Sequence, residues 1–357
     1  MKVSVIIPAF NAKRTIKKAL NSVLRQTYPN TEIIIVNDCS TDNTSEICQK
    51  ISEQYKTKDI RIINKEKNEG VDFARHTGIA NAKGDYILFL DADDWYEKNS
   101  IESLVKTIEK QNVDIVYANK RLVYSAKLGI KKKLYIPSSL MNRVIKDEEK
   151  EEYKISFFGS KKLIPVSIYN VLLRKNLFTE SIEKTGLKFG EDAFLAMQLY
   201  NNAKTIFILP SFLYNYRWGG FTSQIKPEII QECRKGYILR KEWCLKNGYE
   251  EGIDASLRDF LFCFIGFCKT LKVCNPKGKE ENIRIIEEEM KHPIYRDFLK
   301  LSSLPGPYQK ELPQAVINLQ AELVYNLLER EMKQSLKSSI KRKIKQLLSK
   351  IYRKISL

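Results

Sequence analysis

Long apolar runs are missing from the sequence. The longest, Phe260 to Cys268, has nine residues and includes a glycine, whereas a helix that crosses a membrane needs about 20. The first eight residues reach a proline after a short apolar stretch and contain no small-residue cleavage site, unlike a secretory signal peptide. We therefore expect a chain that is not inserted in a membrane and stays in the cytoplasm.

Metal-binding and disulfide patterns are also missing. The 357 residues include two histidines and seven cysteines, with no CxxC pair. An odd number of scattered cysteines is typical of reduced thiols in a reducing compartment. His76 and His292 have no partners at ligand spacing, so we assign them no role and expect no structural zinc.

Acidic residues are too few to balance the basic ones. Lys and Arg number 61 and Asp and Glu 43, which gives a net charge of +18. Residues 332–357 alone contain nine basic side chains and no acidic one. Such an excess indicates a polyanionic partner, for which nucleic acid, a nucleotide diphosphate and anionic lipid are the candidates.

The first half of the chain alternates short β-rich runs with helical periodicity, which predicts an α/β fold with a mostly parallel sheet. The predicted elements are strand Val3–Ile7, helix Ala12–Leu24, strand Glu32–Val36, helix Thr44–Tyr55, strand Ile60–Ile63, helix Val71–Ala82, strand Asp85–Leu90 and helix Ser100–Lys110. From residue 225 onward only helical patterns remain. We therefore predict a catalytic domain at 1–224, a helical region at 225–331 and a basic amphipathic helix at 332–357.

Three carboxylates follow a buried strand at Asp91, Asp93 and Asp94. Ligands of open α/β folds bind at the carboxyl ends of the strands, and Asp91 and Asp93 point the same way in an extended chain. A divalent cation, Mg²⁺ or Mn²⁺, with a bound diphosphate would offset their repulsion. The alternative is a solvated acidic turn that caps the next helix.

Other strand ends fall on the same edge and carry residues that complement a nucleotide. Phe10, after Pro8, offers an aromatic face for a base, and Asp38 can accept a hydrogen bond from a pyrimidine N–H or a ribose hydroxyl. Arg75 supplies a planar fork for phosphate. The alternatives are a core position for Phe10, a turn or N-cap role for Asp38, and a surface cation on an amphipathic helix for Arg75.

Four ordered segments, 3–11, 36–42, 68–78 and 90–94, together resemble the motifs of family-2 glycosyltransferases with the GT-A fold. The similarity is strong over residues 1–110 and looser to about 224. This sequence departs from the family's motifs at two positions. Asn37 stands where the family often has Asp, and Cys39 stands where the family often has Gly.

The resemblance implies a nucleotide-sugar donor, usually a uridine diphosphate (UDP) sugar. Asp91 and Asp93 would hold the donor and a divalent cation, with Asp93 as the more direct ligand. Asp38 would contact uracil, Phe10 would lie on its ring with Pro8 in the same segment, and Arg75 would lie beside the nucleotide.

The sequence Glu191-Asp192 matches the Glu-Asp element of the family, which implies an inverting transfer with Asp192 as general base beside Glu191. Because the pair opens a predicted helix, we expect the helix dipole to keep Asp192 ionised. The alternative is a pair of ordinary first-turn acids. The segment 213–223 resembles the closing Tyr-Arg…Ser segment, so Arg217 would cap the diphosphate; the alternative is a surface arginine at a strand end.

Residues 333–357 have apolar positions spaced by three and four with Lys and Arg between them. This pattern predicts a basic amphipathic helix that lies on an anionic membrane. A helix packed on the protein and a protein-interaction helix are the alternatives, while nucleic acid is disfavoured because no recognition motif accompanies the charge.

Together these features predict a cytoplasmic glycosyltransferase, peripheral on the inner face of the membrane, that transfers sugar to a lipid-linked or surface polysaccharide acceptor. Two alternatives stay open. A nucleotidyltransferase is disfavoured because no glycine-rich loop follows the first strand. A non-catalytic protein would use its basic tail to bind membranes or anionic polymers.

Overall fold

The computed structural model describes residues 1–125, 128–158, 164–219, 227–301 and 311–333. These residues fall into two compact units. The first comprises the described parts of Met1–Ile225 with Ile238–Ala255, and the second those of Lys226–Tyr237 with Ser256–Leu357. The three domains proposed from the sequence stay a prediction.

The first unit is built on a ten-stranded sheet. Eight of the strands follow the order β3-β2-β1-β4-β9-β6-β10-β5, and the other two, β7 and β8, pair with β6 and β10. The strands are β1 Val3–Ala9, β2 Thr31–Asn37, β3 Asp59–Asn64, β4 Tyr86–Phe89, β5 Trp95–Tyr96, β6 Ile115–Ser125, β7 Ile130–Leu134, β8 Val144–Lys146, β9 Val171–Arg174 and β10 Thr205–Arg217. Strands β1 to β4 pair in parallel, as do β6 and β10. The expected mostly parallel α/β sheet is confirmed, with short antiparallel strands β5, β7, β8 and β9 added.

Helices cover both faces of this sheet. They are α1 Ile16–Leu24, α2 Thr44–Gln54, α3 Val71–Asn81, α4 Ser100–Gln111, α5 Asp147–Lys154 and α6 Glu191–Asn202. One core contains residues of α1, α2 and α4, and the other contains residues of α3 and α6. All seven residues of β1 are buried, as expected for a central strand of a parallel sheet with two covered faces. This arrangement leaves the carboxyl edge of the strands to the connecting loops.

Helix α1 begins at Ile16 rather than at the predicted Ala12. Asn11 has a left-handed backbone with φ of 48°, and its side chain accepts a hydrogen bond of 2.9 Å from the Thr41 backbone N–H. The next N–H, that of Ala12, donates to Thr44 Oγ1. These bonds tie the chain to the loop before α2, so the helix starts one turn later.

The predicted helical region is confirmed for the described residues after 225. Its helices include α7 Ile229–Lys246, α8 Glu250–Cys274, α9 Lys279–Met290 and α10 Glu311–Ile317, with a 3₁₀ segment at Pro293–Lys300, and residues 321–333 are also helical. Within the second unit Phe260 packs its ring against Tyr237, Tyr295 and Phe298. No helix in the described ranges has both the length and the apolarity required to span a bilayer. Apart from Lys333, the predicted basic helix 333–357 lies outside the described residues.

Candidate active site

The end of β1 carries the first pair of predicted site residues. Pro8 is buried within the strand, whereas Phe10, just beyond it, has 50% of its surface exposed. The alternative of a core position for Phe10 is therefore wrong. The ring stands at the carboxyl edge of the sheet, where it can contact a ligand.

Asp38, at the end of β2, holds the loop that leads into α3. Its carboxylate accepts hydrogen bonds from the backbone N–H groups of Glu69 (3.1 Å) and Gly70 (2.7 Å), and Lys65 Nζ lies 3.3 Å from Oδ1. Only 2% of Asp38 is exposed. These contacts tie two loops together and are neither those of an N-cap nor those of a local turn, and a contact with a base would be additional to them.

Arg75 on α3 connects two segments that are distant in sequence. Its Nη1 donates to Glu191 Oε1 at 2.7 Å, and its Nη2 donates to Asp91 Oδ1 at 2.9 Å. The side chain is 4% exposed, so the alternative of a surface cation is wrong. Burial lowers the pKa of the guanidinium, but the charges of Asp91 and Glu191 outweigh this effect and raise the pKa above its ordinary value. Arg75 therefore brings the end of β4 and the start of α6 together.

Asp192 lies beside this bridge in the first turn of α6. Burial, and then the charges of Glu191 and Asp91, raise its pKa to about 7, although Arg75 opposes the shift. Its Oδ1 accepts a hydrogen bond of 2.8 Å from the Ala193 N–H. The expected effect of the helix dipole is thus outweighed by desolvation and like charge. A carboxylate with a pKa near neutrality is suited to general-base chemistry.

Asp91 and Asp93 lie in the loop between β4 and β5, residues 90–94, which we call the carboxylate loop. The charge of Asp93 is poorly compensated. Burial first, and then the charge of Asp91, raise the pKa of Asp93, while Arg217 lowers it. Arg217 is exposed at the end of β10, so the surface-arginine alternative fits its exposure and the cap role stays a proposal. The remaining residues of the closing segment, 220–223, lie outside the described residues.

The arrangement fits a divalent cation only in part. Asp91 and Asp93 present the hard oxygen donors that Mg²⁺ and Mn²⁺ prefer, and such sites commonly use one or two carboxylates completed by substrate phosphates. Across the described ranges no group of three or more His, Cys, Asp or Glu side chains is placed to hold a metal. Any cation bound here would therefore need oxygens from the donor.

Asp94, noted in the sequence only as one of three carboxylates, is a site residue to which no role of its own was assigned. It is 1% exposed, and its carboxylate accepts hydrogen bonds from Tyr214 Oη (2.6 Å) and from the Arg217 N–H (2.7 Å). Burial, and then Asp91 and Asp93, raise its pKa well above the ordinary value. Asp94 thus ties the carboxylate loop to the end of β10. The only sequence signal was its position beside Asp93.

Tyr169, which also carried no sequence signal, packs beside the same loop. Its ring stacks on Tyr214 (5.2 Å) and Tyr216 (5.6 Å), and Lys120 Nζ donates to its hydroxyl at 2.8 Å. Burial, and then the charge of Asp192, raise the pKa of Tyr169.

The fold brings together four of the predicted site residues: Arg75, Asp91, Glu191 and Asp192. No contact recorded for the described part of the chain joins Phe10 or Asp38 to this group.

Comparison with known proteins identifies the family to which the chain belongs. Residues 4–173 match the family model for glycosyl transferase family 2. The chain is 31% identical to the glycosyltransferase EpsJ of Bacillus subtilis over 87% of this chain and 88% of EpsJ. It is 32% identical to the glycosyltransferase GlyA of Streptococcus pneumoniae, over 60% of this chain but only 30% of GlyA. The chain belongs to glycosyltransferase family 2.

A solved structure supports the same fold. The crystal structure of S. aureus TarS 1–349 in complex with UDP-GlcNAc superposes with a TM-score of 0.65 at 20% identity, covering 94% of this chain and 92% of that chain. The GT-A type of α/β fold with a C-terminal helical region is therefore established. Membership of this family favours a sugar-transferring enzyme over the nucleotidyltransferase and non-catalytic alternatives.

Proposed function

We propose that this protein is an inverting glycosyltransferase that takes its sugar from a UDP-sugar and transfers it to a polysaccharide or lipid-linked acceptor. The observation that carries the proposal is the Arg75 bridge, which holds Asp91 and Glu191 on one guanidinium. That bridge puts a carboxylate loop suited to a diphosphate next to Asp192, a carboxylate with a pKa of about 7.

The donor assignment has support from two sides. Phe10 is an exposed ring at the carboxyl edge, where it would stack on uracil, with Pro8 two residues before it in β1 and Asp38 at the end of the neighbouring strand β2. TarS, which shares the fold, was crystallised with UDP-GlcNAc. The identity of the sugar depends on pocket contacts that the shared fold does not specify.

The transfer is a single displacement. The acceptor hydroxyl oxygen attacks C1 of the sugar while Asp192 takes its proton, and the bond from C1 to the diphosphate oxygen breaks with its electron pair leaving on UDP. Glu191 and Arg75 would position Asp192, and Arg217 would be the cation that faces the departing diphosphate. Asp192 ends the step neutral and returns its proton to solvent.

Asp93, with Asp91 beside it, would hold a divalent cation together with the donor. When bound, such a cation supplies positive charge that stabilises the leaving diphosphate. The half-buried, poorly compensated carboxylate of Asp93 is the feature that supports this assignment.

The proposed acceptor and location have separate support. The name of TarS, poly(ribitol-phosphate) beta-N-acetylglucosaminyltransferase, supports a polymeric acceptor. We infer from the basic pattern at 333–357 that the chain sits on the inner face of an anionic membrane, where a lipid-linked acceptor would be within reach.

Release of UDP from a panel of UDP-sugars tests the function. Asp192→Asn should lower turnover at least about 100-fold because general-base catalysis commonly contributes that much, while UDP affinity stays unchanged. Asp147→Asn is the matched control, since Asp147 also opens a helix but lies at the start of α5, away from the site. Full turnover by the Asp192 variant would remove the proposed base, and no UDP release from any donor would remove the function.

A further inference from the structure

A cavity of about 970 Å³ lies beside α1 and the residues that follow the carboxylate loop. We call it the basic cleft. Its lining includes Arg14, Lys17, Lys18, Arg25, Lys98 and Trp95. Sites of this size are typical of ligand-binding pockets, so the cleft is large enough for a substantial part of a ligand.

The charge in the basic cleft has one sign. Five of its lining side chains are cationic and none is acidic. Within the described residues, none of these five forms an ion pair with a carboxylate. Arg14 lies in the turn before α1, Lys17 and Lys18 lie in the first turn of α1, and all three line the cleft. The first turn of α1 has no acidic residue to offset them.

This arrangement does not help the protein to fold. Cations gathered on one wall repel one another, and the dipole of α1 further disfavours Lys17 and Lys18 near its start. An anionic ligand in the cleft would reverse the sign of both effects. A cleft lined by one sign of charge also concentrates ligands of the opposite sign.

The cleft borders the candidate active site through Trp95. Lys18 Nζ lies 2.8 Å from the centroid of the Trp95 ring, and Trp95 directly follows Asp94. Trp95 also pairs with Asn215 of β10, two residues before Arg217. After burial, the charge of Arg217 is the next cause that lowers the pKa of Lys18. One wall of the cleft is therefore continuous with the loop that carries Asp91 and Asp93.

We propose that the basic cleft binds phosphate groups of the acceptor, and that the acceptor is a phosphate-bearing glycan chain; this rests on the proposed function. The diphosphate of the UDP leaving group would be neutralised by Arg217 and a divalent cation, because Arg75 is already paired with Asp91 and Glu191. Five further cations indicate a second anion with several charges. Lysine and arginine together suit phosphate. A concave surface receives a chain, whereas docking on a membrane uses side chains that protrude.

The test compares two variants with the same loss of charge. The cleft variant combines Lys17→Gln, Arg25→Gln and Lys98→Gln. The control variant combines Lys131→Gln, Lys132→Gln and Lys133→Gln on β7, whose lysines are also exposed. Short-chain inorganic polyphosphate is the probe, titrated calorimetrically into the full chain. The cleft variant should lose about tenfold or more in affinity and the control less than about twofold.

Each outcome decides the matter. An equal loss of polyphosphate affinity in both variants would mean that polyphosphate binds by unspecific charge attraction, which would overturn the proposal. A cleft variant that keeps polyphosphate binding but loses binding to phosphatidylglycerol vesicles, or to duplex DNA, would assign the cleft to a membrane or a nucleic acid instead. Absence of polyphosphate binding by the unsubstituted chain would also overturn it.

UDP affinity and UDP release are measured on the same samples. Both should be unchanged in the cleft variant when water is the acceptor. If the unsubstituted chain binds polyphosphate through the cleft yet neither binds UDP nor releases it, the proposed function fails while the anion site stands. The two failures are thereby distinguishable.

Discussion

Glu191 accepts a hydrogen bond of 2.7 Å from Arg75, a residue 116 positions earlier in the chain. The same guanidinium holds Asp91 at 2.9 Å, so one buried cation serves two carboxylates. Removing one partner of such a buried pair is costly because it leaves the other charges uncompensated. The bridge is therefore both a support for the site and a point at which the fold is vulnerable.

Arg75→Ala should lower the free energy of unfolding by about 3–5 kcal/mol, the range for breaking a buried ion pair. Urea denaturation measures it. Arg143→Ala is the control, because Arg143 pairs with Glu149 where both side chains are more than 40% exposed; that loss should stay within about 1 kcal/mol. Equal losses in the two variants would contradict a structural role for the bridge.

Tyr214→Phe should lower the free energy of unfolding by about 1–3 kcal/mol because it leaves the buried Asp94 carboxylate without one of its donors. The Tyr214 hydroxyl donates to Asp94 at 2.6 Å. Tyr28→Phe removes a hydroxyl that donates at 2.6 Å to the exposed Met1 carbonyl, where water replaces it, so we expect little change. Thermal unfolding of the two variants makes the comparison, and a larger loss for Tyr28→Phe would contradict the anchoring role of Asp94.

Periodicity predicted the order of the first seven elements and the helix α4, because each depends on residues close in sequence, whereas the short strand β5 before α4 was missed. The late start of α1 was missed because it depends on a bond between Ala12 and Thr44. Only the end of strand β10 was anticipated, as the alternative for 213–223, since Pro210 and shifts in register interrupt the rest of its pattern.

For the site, the motifs identified which residues matter but not what they contact. Asp38, expected to face a base, holds the N–H groups before α3. Asp91, Asp93 and Asp94 read alike in the sequence, and only the pairing of β5 with β10 determines that Asp94 is the buried one. The pKa of Asp192 depends on the charges of Arg75, Glu191 and Asp91 together. Because Arg75 and Asp91 are distant in sequence, no local sequence pattern predicts their combined effect.

Asp93→Asn should raise the melting temperature of the protein in the presence of a chelator. Burial and the charge of Asp91 raise the pKa of Asp93, so its ionised form is unfavourable in the folded state and a neutral amide relieves the repulsion. Divalent metal should then increase UDP affinity in the unsubstituted protein but not in the variant.

The control for this prediction is Asp147→Asn. Lys150 lowers the pKa of Asp147 through a hydrogen bond of 2.9 Å, so the loss of this charge should leave the melting temperature equal or slightly lower. Differential scanning calorimetry, with and without Mn²⁺, measures both variants. A lower melting temperature for Asp93→Asn than for Asp147→Asn would contradict the assignment of an uncompensated charge to Asp93.

The pH dependence of turnover follows from the pKa of about 7 at Asp192. A general base acts only when ionised, so turnover should rise about tenfold per pH unit below that pKa and level off above it.

The stability of the protein should change with pH in the opposite direction. The folded-state pKa of Asp192 is raised above the ordinary value of 3.8, so the folded protein binds this proton more tightly than the unfolded chain does. The contribution of Asp192 to stability is therefore lost as pH rises from about 4 to about 7. Asp192→Asn should remove that part of the stability profile, which urea denaturation at several pH values measures. The groups that face Asp192 are Glu191, Asp91, Arg75 and Tyr169. Turnover that is independent of pH across this range, with a stability profile unchanged by Asp192→Asn, would assign the base to another residue.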